Sequence, residues 1–171
     1  MKPENTSTVK NIILNKETIK RKLRRMALEI AERNTDEKAL LIAGIAGNGA
    51  IVAKNLITIL QEISRLQIEF IEIKMNKKDP LQSRIESDIS FAGKSIIVED
   101  DVANTGKTIL YALKLFLNDY PKNIQTLVLV ERSHKAFPVQ SDYVGLSVAT
   151  TLQEHISVET ENGELVQACL H

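Results

Sequence analysis

The stretch that decides the fold reads Ile96-Ile-Val-Glu-Asp-Asp-Val-Ala-Asn-Thr-Gly-Lys-Thr108. Its apolar beginning is typical of a buried strand, and it leads directly into three consecutive acids at residues 99–101. After a short turn, residues 105–108 open a helix, where unpaired backbone N–H groups, two hydroxyls and Lys107 together suit a phosphate. Ligands of parallel sheets bind where the strands end, so this stretch predicts a site for a phosphate-bearing ligand.

The acid pair, Asp100 and Asp101, restricts the chemistry of that ligand. Carboxylates repel a bare phosphate, but they suit a ligand that has hydroxyls next to its phosphate or that brings a divalent cation. A ribose 5-phosphate has that arrangement. Solvated acids followed by an ordinary helix cap would explain the same residues without a ligand, because Thr and Asp are common capping residues. Three acids followed by Thr-Gly-Lys-Thr exceed what capping requires, so we favour the ligand site.

Two nucleotide-binding motifs can be compared with the chain, and neither fits. A Walker A loop requires glycine five residues before its Gly-Lys-Thr, and Asp101 stands at that position. The dinucleotide fingerprint G-x-G-x-x-G would require a third glycine after Gly47 and Gly49, where the chain has Val52. A nucleoside triphosphatase and a dinucleotide-binding domain are therefore disfavoured.

Strand and helix patterns alternate along the rest of the chain. Residues 76–91 are polar, contain Pro80 and show weak periodicity, which predicts a long loop. The alternation predicts an α/β fold with a parallel sheet between helices on both faces. Helices are predicted at about residues 15–33, capped by Asn15, 50–64 and 106–118, and strands at 39–44, 68–75, 94–98, 126–130, 143–149 and 156–160.

Composition limits the classes of protein to which the chain can belong. The 171 residues, 43% apolar and 26% charged, suit one domain, which we place at residues 11–171 after a flexible tail at residues 1–10. The 22 basic residues balance 22 acidic ones, which excludes a protein that coats nucleic acid through its overall charge. The single cysteine, Cys169, cannot form an internal disulfide, and the sequence has no apolar signal segment or membrane span. These features predict a cytoplasmic protein.

The acid pair and the Thr-Gly-Lys-Thr segment resemble the signature of the type I phosphoribosyltransferases, which is an apolar strand, two acids and a T-G-x-T phosphate loop. From about residue 12 to residue 158, the order and spacing of segments resemble the pyrimidine-operon attenuator and uracil phosphoribosyltransferase family. Residues 30–34, 41–56 and 128–134 carry this wider similarity. It implies the type I phosphoribosyltransferase fold, with a mainly parallel central sheet, flanking helices and a small hood.

The resemblance also implies a reaction and its site residues. A nucleobase nitrogen, expected to be that of a uracil-like pyrimidine, would displace diphosphate from phosphoribosyl diphosphate (PRPP). Mg²⁺ would be bound with PRPP and without direct protein ligands. Asp100 and Asp101 would be catalytic, meeting the ribose hydroxyls and favouring the positive charge that develops on the ribose. The remaining substrate-binding residues would be Val102, Ala103, Asn104, Thr105, Gly106, Lys107 and Thr108 around the 5-phosphate, Ala46, Gly47, Asn48 and Gly49 beside the diphosphate, and Arg132, with Val102, near the base.

Several positions depart from the family pattern. Residues 46–49 carry no basic side chain, although the family's pyrophosphate loop does. Lys107 stands where the family usually has arginine, and Asn104 replaces an acid of purine-salvage relatives, which disfavours a purine. The loop at residues 76–92 is shorter than in the family and lacks its aromatic-Arg-Asp-Asp pattern. The residues that could replace its charges are Lys77, Lys78 and Arg84.

Two functions of different class remain open from the sequence. The first, which we favour, is a magnesium-dependent phosphoribosyltransferase; the second is a regulator that keeps the PRPP or nucleotide pocket as a sensor and controls RNA or a protein partner. No aromatic residues interleave the basic residues of the first helix for base stacking, which favours a solvated helix face over an RNA surface. A homodimer or larger assembly is expected from the resemblance, and no membrane partner. The basic residues of the first helix are Lys16, Lys20, Arg21, Lys22, Arg24 and Arg25.

Overall fold

Two β-sheets and three helices make up residues 10–171, which are the residues that the computed structural model describes. The predicted flexible tail lies outside the described residues, apart from Lys10. The strands are β1 (Asn11–Asn15), β2 (Ala39–Ile45), β3 (Gln67–Asn76), β4 (Asp79–Ile85), β5 (Ser95–Ala103), β6 (Asn123–Arg132), β7 (Tyr143–Val148), β8 (Ile156–Glu161) and β9 (Glu164–Leu170). The helices are α1 (Lys16–Arg33), α2 (Asn48–Ile63) and α3 (Lys107–Lys114).

The central sheet has the strand order β4-β3-β2-β5-β6-β7. All neighbouring pairs are parallel except β3 and β4, which pair antiparallel. β2 and β5 are buried along almost their whole length because they lie in the middle of the sheet. Gly44 of β2 pairs with Glu99 of β5, so the segment after β2 and the acids of β5 meet at the same edge.

Helices cover both faces of this sheet, as predicted. Side chains alternate between the faces of a strand, so neighbouring residues of β2 enter different cores. Leu40 and Ile42 pack with residues of α1 and α2, whereas Leu41 and Ala43 pack with α3 and Phe116. The predicted cap of the first helix is confirmed, because the Thr18 N–H donates to Oδ1 of Asn15 at 2.8 Å. Within residues 10–171, no helix is both long enough and apolar enough to cross a membrane.

A separate antiparallel sheet of three strands, in the order β1-β9-β8, forms the hood. β9 pairs with β1 on one side and with β8 on the other, and Asn11 lies opposite Leu170. The sequence patterns predicted β8 but missed β1 and β9. β1 is five residues long and runs directly into α1, so its pattern merges with that of the helix.

The prediction of a loop over residues 76–91 is wrong for residues 76–85 and confirmed for residues 86–91, which form neither helix nor strand. Residues 79–85 form β4, which pairs back on β3 through Asn76 and Asp79, Lys74 and Arg84, and Ile73 and Ile85. β4 is an edge strand with mostly exposed or half-buried side chains, so it lacks a hydrophobic period, and an edge position tolerates Pro80. The turn of this β3–β4 hairpin consists of Lys77 and Lys78.

Two predicted boundaries also change. β5 continues through residue 103, which places all three acids inside the strand and not after it. The third helix ends at Lys114 and not near residue 118, because hydrogen bonds between residues three apart, such as Leu117 N–H to the Lys114 carbonyl, replace the helical pattern.

Candidate active site

The acids of β5 are buried at the edge where the parallel strands end. The exposed fractions are 0% for Glu99, 1% for Asp100 and 8% for Asp101. The Asp101 N–H donates to Oδ1 of Asp100 at 2.9 Å. Among the described residues, Oδ2 of Asp100 and both carboxyl oxygens of Glu99 have no hydrogen-bond partner. Asp100 therefore has an acceptor atom to offer to a ligand.

Burial sets the protonation of these carboxyls. Burial and, second, the neighbouring Asp101 charge raise the pKa of Asp100, the Lys77 ammonium lowers it, and the net pKa is about 8. Burial also raises the pKa of Glu99 well above its usual range. Without a ligand, burial therefore favours the protonated form of both the Asp100 and the Glu99 carboxyl. A hydroxyl or cation brought to Asp100 would favour its charged form.

Lys77, in the turn of the β3–β4 hairpin, faces the acid pair. Its Nζ is 3.6 Å from Oδ1 of Asp100 and 3.8 Å from Oδ1 of Asp101. The Lys77 side chain is 53% exposed, so solvent screens both interactions. The hairpin thus brings a positive charge to the acids from a part of the sequence that was predicted to be an unstructured loop.

The Thr-Gly loop, residues 103–108, connects the acids to α3. Gly106 lies at the start of the helix with φ +82°, in the left-handed region that favours glycine. The Thr105 carbonyl accepts hydrogen bonds from the N–H groups of Ala136 and Phe137 at 3.1 and 3.0 Å. The loop therefore has a fixed shape, and with Lys77 it lines a cavity of about 80 Å³. The lining residues are Val102, Ala103, Asn104, Thr105, Gly106, Thr108 and Ile109.

The glycine loop, residues 46–49, follows β2 and includes the first two residues of α2. Its Ala46 N–H donates to the Ile73 carbonyl of β3 at 2.9 Å. A Cβ atom at Gly49 would lie 3.0 Å from the Glu99 carbonyl oxygen and 3.1 Å from Cα of Asp100. Only glycine allows the glycine loop and the acid-bearing strand to come this close without displacing backbone.

Asn48 joins three parts of the site through its side chain. Its Nδ2 donates to Oδ2 of Asp101 at 3.1 Å and to the Val158 carbonyl of β8 at 2.8 Å, and its Oδ1 accepts from Thr160 at 3.3 Å. The family resemblance implies a place for Asn48 beside the diphosphate but does not indicate this link. Asn48 is the only residue of the glycine loop with a polar side chain, and that was the available signal.

Most of the predicted site residues meet at one place, but Lys107 does not line the cavity and Arg132 bonds to another segment. The acid pair, the Thr-Gly loop and the glycine loop adjoin one another, and Val102 lines the cavity. Arg132 ends β6 and donates from Nε to Thr150 at 2.6 Å and from Nη2 to the Thr151 carbonyl at 2.7 Å. Within residues 10–171, its hydrogen bonds are with this segment after β7 and not with the acid pair.

The basic residues of α1 lie on its outer face. Lys16 forms an ion pair with Glu164, and Arg25 forms one with Glu29 and donates to the Val144 carbonyl at 2.7 Å. The remaining four, Lys20, Arg21, Lys22 and Arg24, are exposed or half-buried. This is the arrangement of a solvated helix face opposite the buried side of α1.

Comparison with known families identifies the fold. The family model described as the phosphoribosyl transferase domain matches residues 10–161, which include the hood strands β1 and β8, the acid pair and both loops. The chain belongs to this family. It is a pentosyltransferase of the phosphoribosyltransferase class, and the predicted type I fold is confirmed.

Relatives of similar length support this assignment. The chain is 33% identical to the bifunctional protein PyrR of Clostridium novyi, an alignment that covers 87% of this chain and 89% of the relative. It is 35% identical to the pyrimidine operon regulatory protein of Lactococcus lactis, over 86% of this chain and 88% of the relative. It is 29% identical to PyrR of Haemophilus ducreyi, over 90% of this chain and 92% of the relative.

Solved structures share the fold at lower sequence identity. A hypoxanthine phosphoribosyltransferase of Trypanosoma cruzi superposes with a TM-score of 0.71 at 18% identity, covering 92% of this chain and 90% of that chain. A hypoxanthine-guanine phosphoribosyltransferase of Bacillus anthracis superposes with a TM-score of 0.66 at 20% identity, covering 81% of this chain and 82% of that chain. At these identities the likeness concerns the fold alone.

Proposed function

We propose that the chain transfers the ribose 5-phosphate group of PRPP to a nitrogen of a uracil-like pyrimidine and releases diphosphate. One observation carries the proposal: a buried acid pair adjoins two glycine-bearing loops that both lead into helices. Relatives at 29–35% identity named as PyrR or as pyrimidine operon regulators favour a pyrimidine over a purine. Nucleotide metabolism of this kind fits a cytoplasmic location.

The Thr-Gly loop is the proposed 5-phosphate site. Backbone N–H groups at the start of α3 and the hydroxyls of Thr105 and Thr108 can donate to phosphate oxygens. Lys107 adds a positive charge, as a single ammonium and not the two-pronged guanidinium of the family pattern. Asn104, whose Oδ1 is buried without a partner among the described residues, adds an amide to the same cavity.

The acid pair is the proposed ribose site, where the unpartnered Oδ2 of Asp100 suits a ribose hydroxyl as donor. As the bond from the anomeric carbon to diphosphate breaks, its electron pair leaves with the diphosphate and positive charge develops on the ribose. A carboxylate fixed nearby in buried surroundings stabilises that charge more strongly than it would in water. The base nitrogen then bonds to the anomeric carbon. Val102 and Arg132 are the residues we propose on the base side.

Magnesium would enter this site with PRPP. Mg²⁺ keeps several waters and binds through one or two carboxylates together with phosphate oxygens. The adjacent carboxylates of Asp100 and Asp101 fit such a substrate-borne ion, which they would hold through water molecules. When bound, the ion would neutralise charge on the diphosphate.

Diphosphate release tests the proposal. Native protein is incubated with PRPP, Mg²⁺ and a panel of nucleobases, beside an Asp101→Asn variant with its fold checked by circular dichroism. We expect release with uracil or a close analogue, reduced about 100-fold or more in the variant. Release with purines alone would contradict the base assignment. The absence of release from native protein with every base would contradict the proposed reaction.

A second candidate function follows from the glycine loop. Because residues 46–49 carry no charged side chain, a leaving diphosphate is less well neutralised there, which favours a sensor that binds PRPP or a nucleotide without turnover. Such a sensor would act on RNA or a protein partner. RNA affinity that falls as salt rises, and falls further when Arg21 and Arg24 are replaced by Ala, would support it. Unchanged affinity in that variant would exclude α1 as the RNA surface.

The assembly state belongs to the same proposal. The resemblance implies a homodimer or larger assembly, and sedimentation velocity at several concentrations would measure it. A monomer at micromolar concentration would contradict this part of the proposal.

A further inference from the structure

The glycine loop lies where the proposed function requires a counter-charge for diphosphate, yet it supplies none from its own side chains. Its backbone N–H groups can donate hydrogen bonds, but they bring only partial positive charge. A leaving group with several negative charges departs more readily when a full positive charge lies close to it. Besides the Mg²⁺ that would enter with PRPP, the positive side chain that the glycine loop lacks would therefore have to come from another segment.

The β3–β4 hairpin is that neighbouring segment. Residues 67–73 of β3 pair with the whole of β2, with Ile45 opposite Ile73, and the Ala46 N–H donates to the Ile73 carbonyl. From Ile73, the strand continues three residues to Asn76 before the hairpin turns at residues 77–78. The strand that leads into the turn is thus hydrogen-bonded to the glycine loop four residues before Lys77.

Lys77 and Lys78 occupy this turn and differ in what they contact. Nζ of Lys77 is within 4 Å of both acids, at 3.6 and 3.8 Å, and its side chain lines the cavity of the Thr-Gly loop. Lys78 is exposed, and none of the ion pairs within residues 10–171 includes it. The turn therefore directs one of its two ammonium groups into the site.

The distances from Lys77 to the acids show that the ammonium is not held in a tight ion pair. Charge-assisted N–H···O bonds are about 2.7–2.9 Å long, so separations of 3.6 and 3.8 Å describe an attraction without a tight hydrogen bond. A lysine ammonium on a flexible stem, half exposed at a hairpin turn, can change partners at small cost.

We propose that Lys77 is a catalytic residue that binds the departing diphosphate, in place of the cation that the glycine loop lacks. In the free protein the Lys77 ammonium lies within 4 Å of both Asp100 and Asp101. When PRPP and its cation occupy the acid pair, the ammonium passes to the diphosphate oxygens. The electron pair of the breaking C–O bond leaves with the diphosphate, and Lys77 keeps its proton throughout. This inference rests on the proposed function.

A matched pair of variants tests the inference, Lys77→Met against Lys78→Met. Both remove one charge from the same exposed turn, so they alter net charge and turn composition equally. Steady-state diphosphate release gives kcat and KM for PRPP, and titration calorimetry with Mg²⁺-diphosphate and with PRPP gives binding. Circular dichroism melting verifies the fold, and Lys77→Arg tests whether another cation restores the rate.

We expect Lys77→Met to lower kcat about 10- to 100-fold and to weaken diphosphate binding about 5- to 20-fold. We expect Lys78→Met to stay within about twofold of native protein, and Lys77→Arg to recover part of kcat. Equal effects of the two Met variants, in a native protein that binds PRPP and releases diphosphate, would refute the role of Lys77 and leave the proposed function intact. A native protein that does not bind PRPP would overturn both.

Discussion

Asn48 and Asp101 are joined by a hydrogen bond of 3.1 Å from the side-chain amide to the carboxylate. The same amide nitrogen donates to the Val158 carbonyl in the hood, so a single side chain holds the acid pair, the glycine loop and the hood in one arrangement. Where the family pattern has basic side chains in this loop, the chain has a neutral cross-link. The loop is thereby held in place, but the positive charge that a diphosphate requires has to come from other segments.

Replacing Asn48 by Ala should weaken both the fold and PRPP binding. The change removes two donated hydrogen bonds and leaves the Val158 carbonyl without this donor, so we expect a loss of about 1–3 kcal/mol in the free energy of unfolding. Urea unfolding and PRPP titration measure the two effects. Asn55→Ala is the matched control, since Asn55 also links α2 to the hood through the Gly163 carbonyl at 3.2 Å. Equal PRPP affinity in the two variants would show that the Asp101 contact is unimportant for binding.

Gly49→Ala should separate the glycine loop from β5. The new Cβ would meet the Glu99 carbonyl oxygen and Cα of Asp100, which are backbone atoms that cannot rotate away, so we expect a loss of about 1–3 kcal/mol together with weaker PRPP binding. Gly93→Ala serves for comparison, because Gly93 has φ +68° and open space around its Cβ position. Gly93→Ala should lower the free energy of unfolding by about 1 kcal/mol and leave PRPP affinity unchanged. Native PRPP affinity in Gly49→Ala would refute the close approach.

Glu99→Leu should stabilise the protein. The Glu99 side chain is fully buried, and neither carboxyl oxygen has a partner among the described residues, so folding removes it from water without compensation. We expect the free energy of unfolding at pH 7 to rise by about 1–3 kcal/mol. Chemical unfolding of native and variant protein in the same buffer measures it. A loss of stability would mean that Glu99 has a partner, such as a bound water.

The raised pKa of Asp100 predicts stability that falls as pH rises. The folded-state pKa of about 8 exceeds the ordinary value of 3.8, so between these limits the folded protein binds more protons than the unfolded chain. The free energy of unfolding should therefore decrease from about pH 4 to about pH 8. Asp100→Asn should flatten this slope, and its advantage over native protein should grow up to about pH 8 and stay constant above it. Urea unfolding from pH 5 to pH 9 tests the sign, and parallel curves for the two proteins would contradict it.

The sequence predicted the elements whose patterns are local. β2 and the first half of β5 are short apolar runs, and α1 combines a capping asparagine with apolar residues at helical spacing, so each was predicted close to its position. The order of these elements also placed the acids of β5 beside the glycine loop, because parallel strands end at one edge. The geometry of that edge is therefore the part of the site that the sequence could predict.

The rest of the site depends on pairings between distant segments. β4 is a polar edge strand that is defined by its partner β3 and not by its own pattern, so the hairpin turn that brings Lys77 to the acids could not be located. The contacts of Asn48 depend on β8 lying beside the glycine loop, which in turn depends on the hood. Arg132 was placed near the base by resemblance, and its bonds to residues 150 and 151 are set by the segment after β7.

The pairing of β1 with β9 in the hood has a consequence for the order of folding. Asn11 lies opposite Leu170, so the hood closes a loop of nearly the whole chain, and contacts of such large sequence separation form slowly. The Val158 carbonyl that accepts from Asn48 belongs to the same sheet. We therefore expect pulsed hydrogen exchange during refolding to show protection in the central sheet before the hood. The acid-bearing strand β5 would form early, and the hydrogen bond from Asn48 to the Val158 carbonyl of the hood would be the last contact of the site to form.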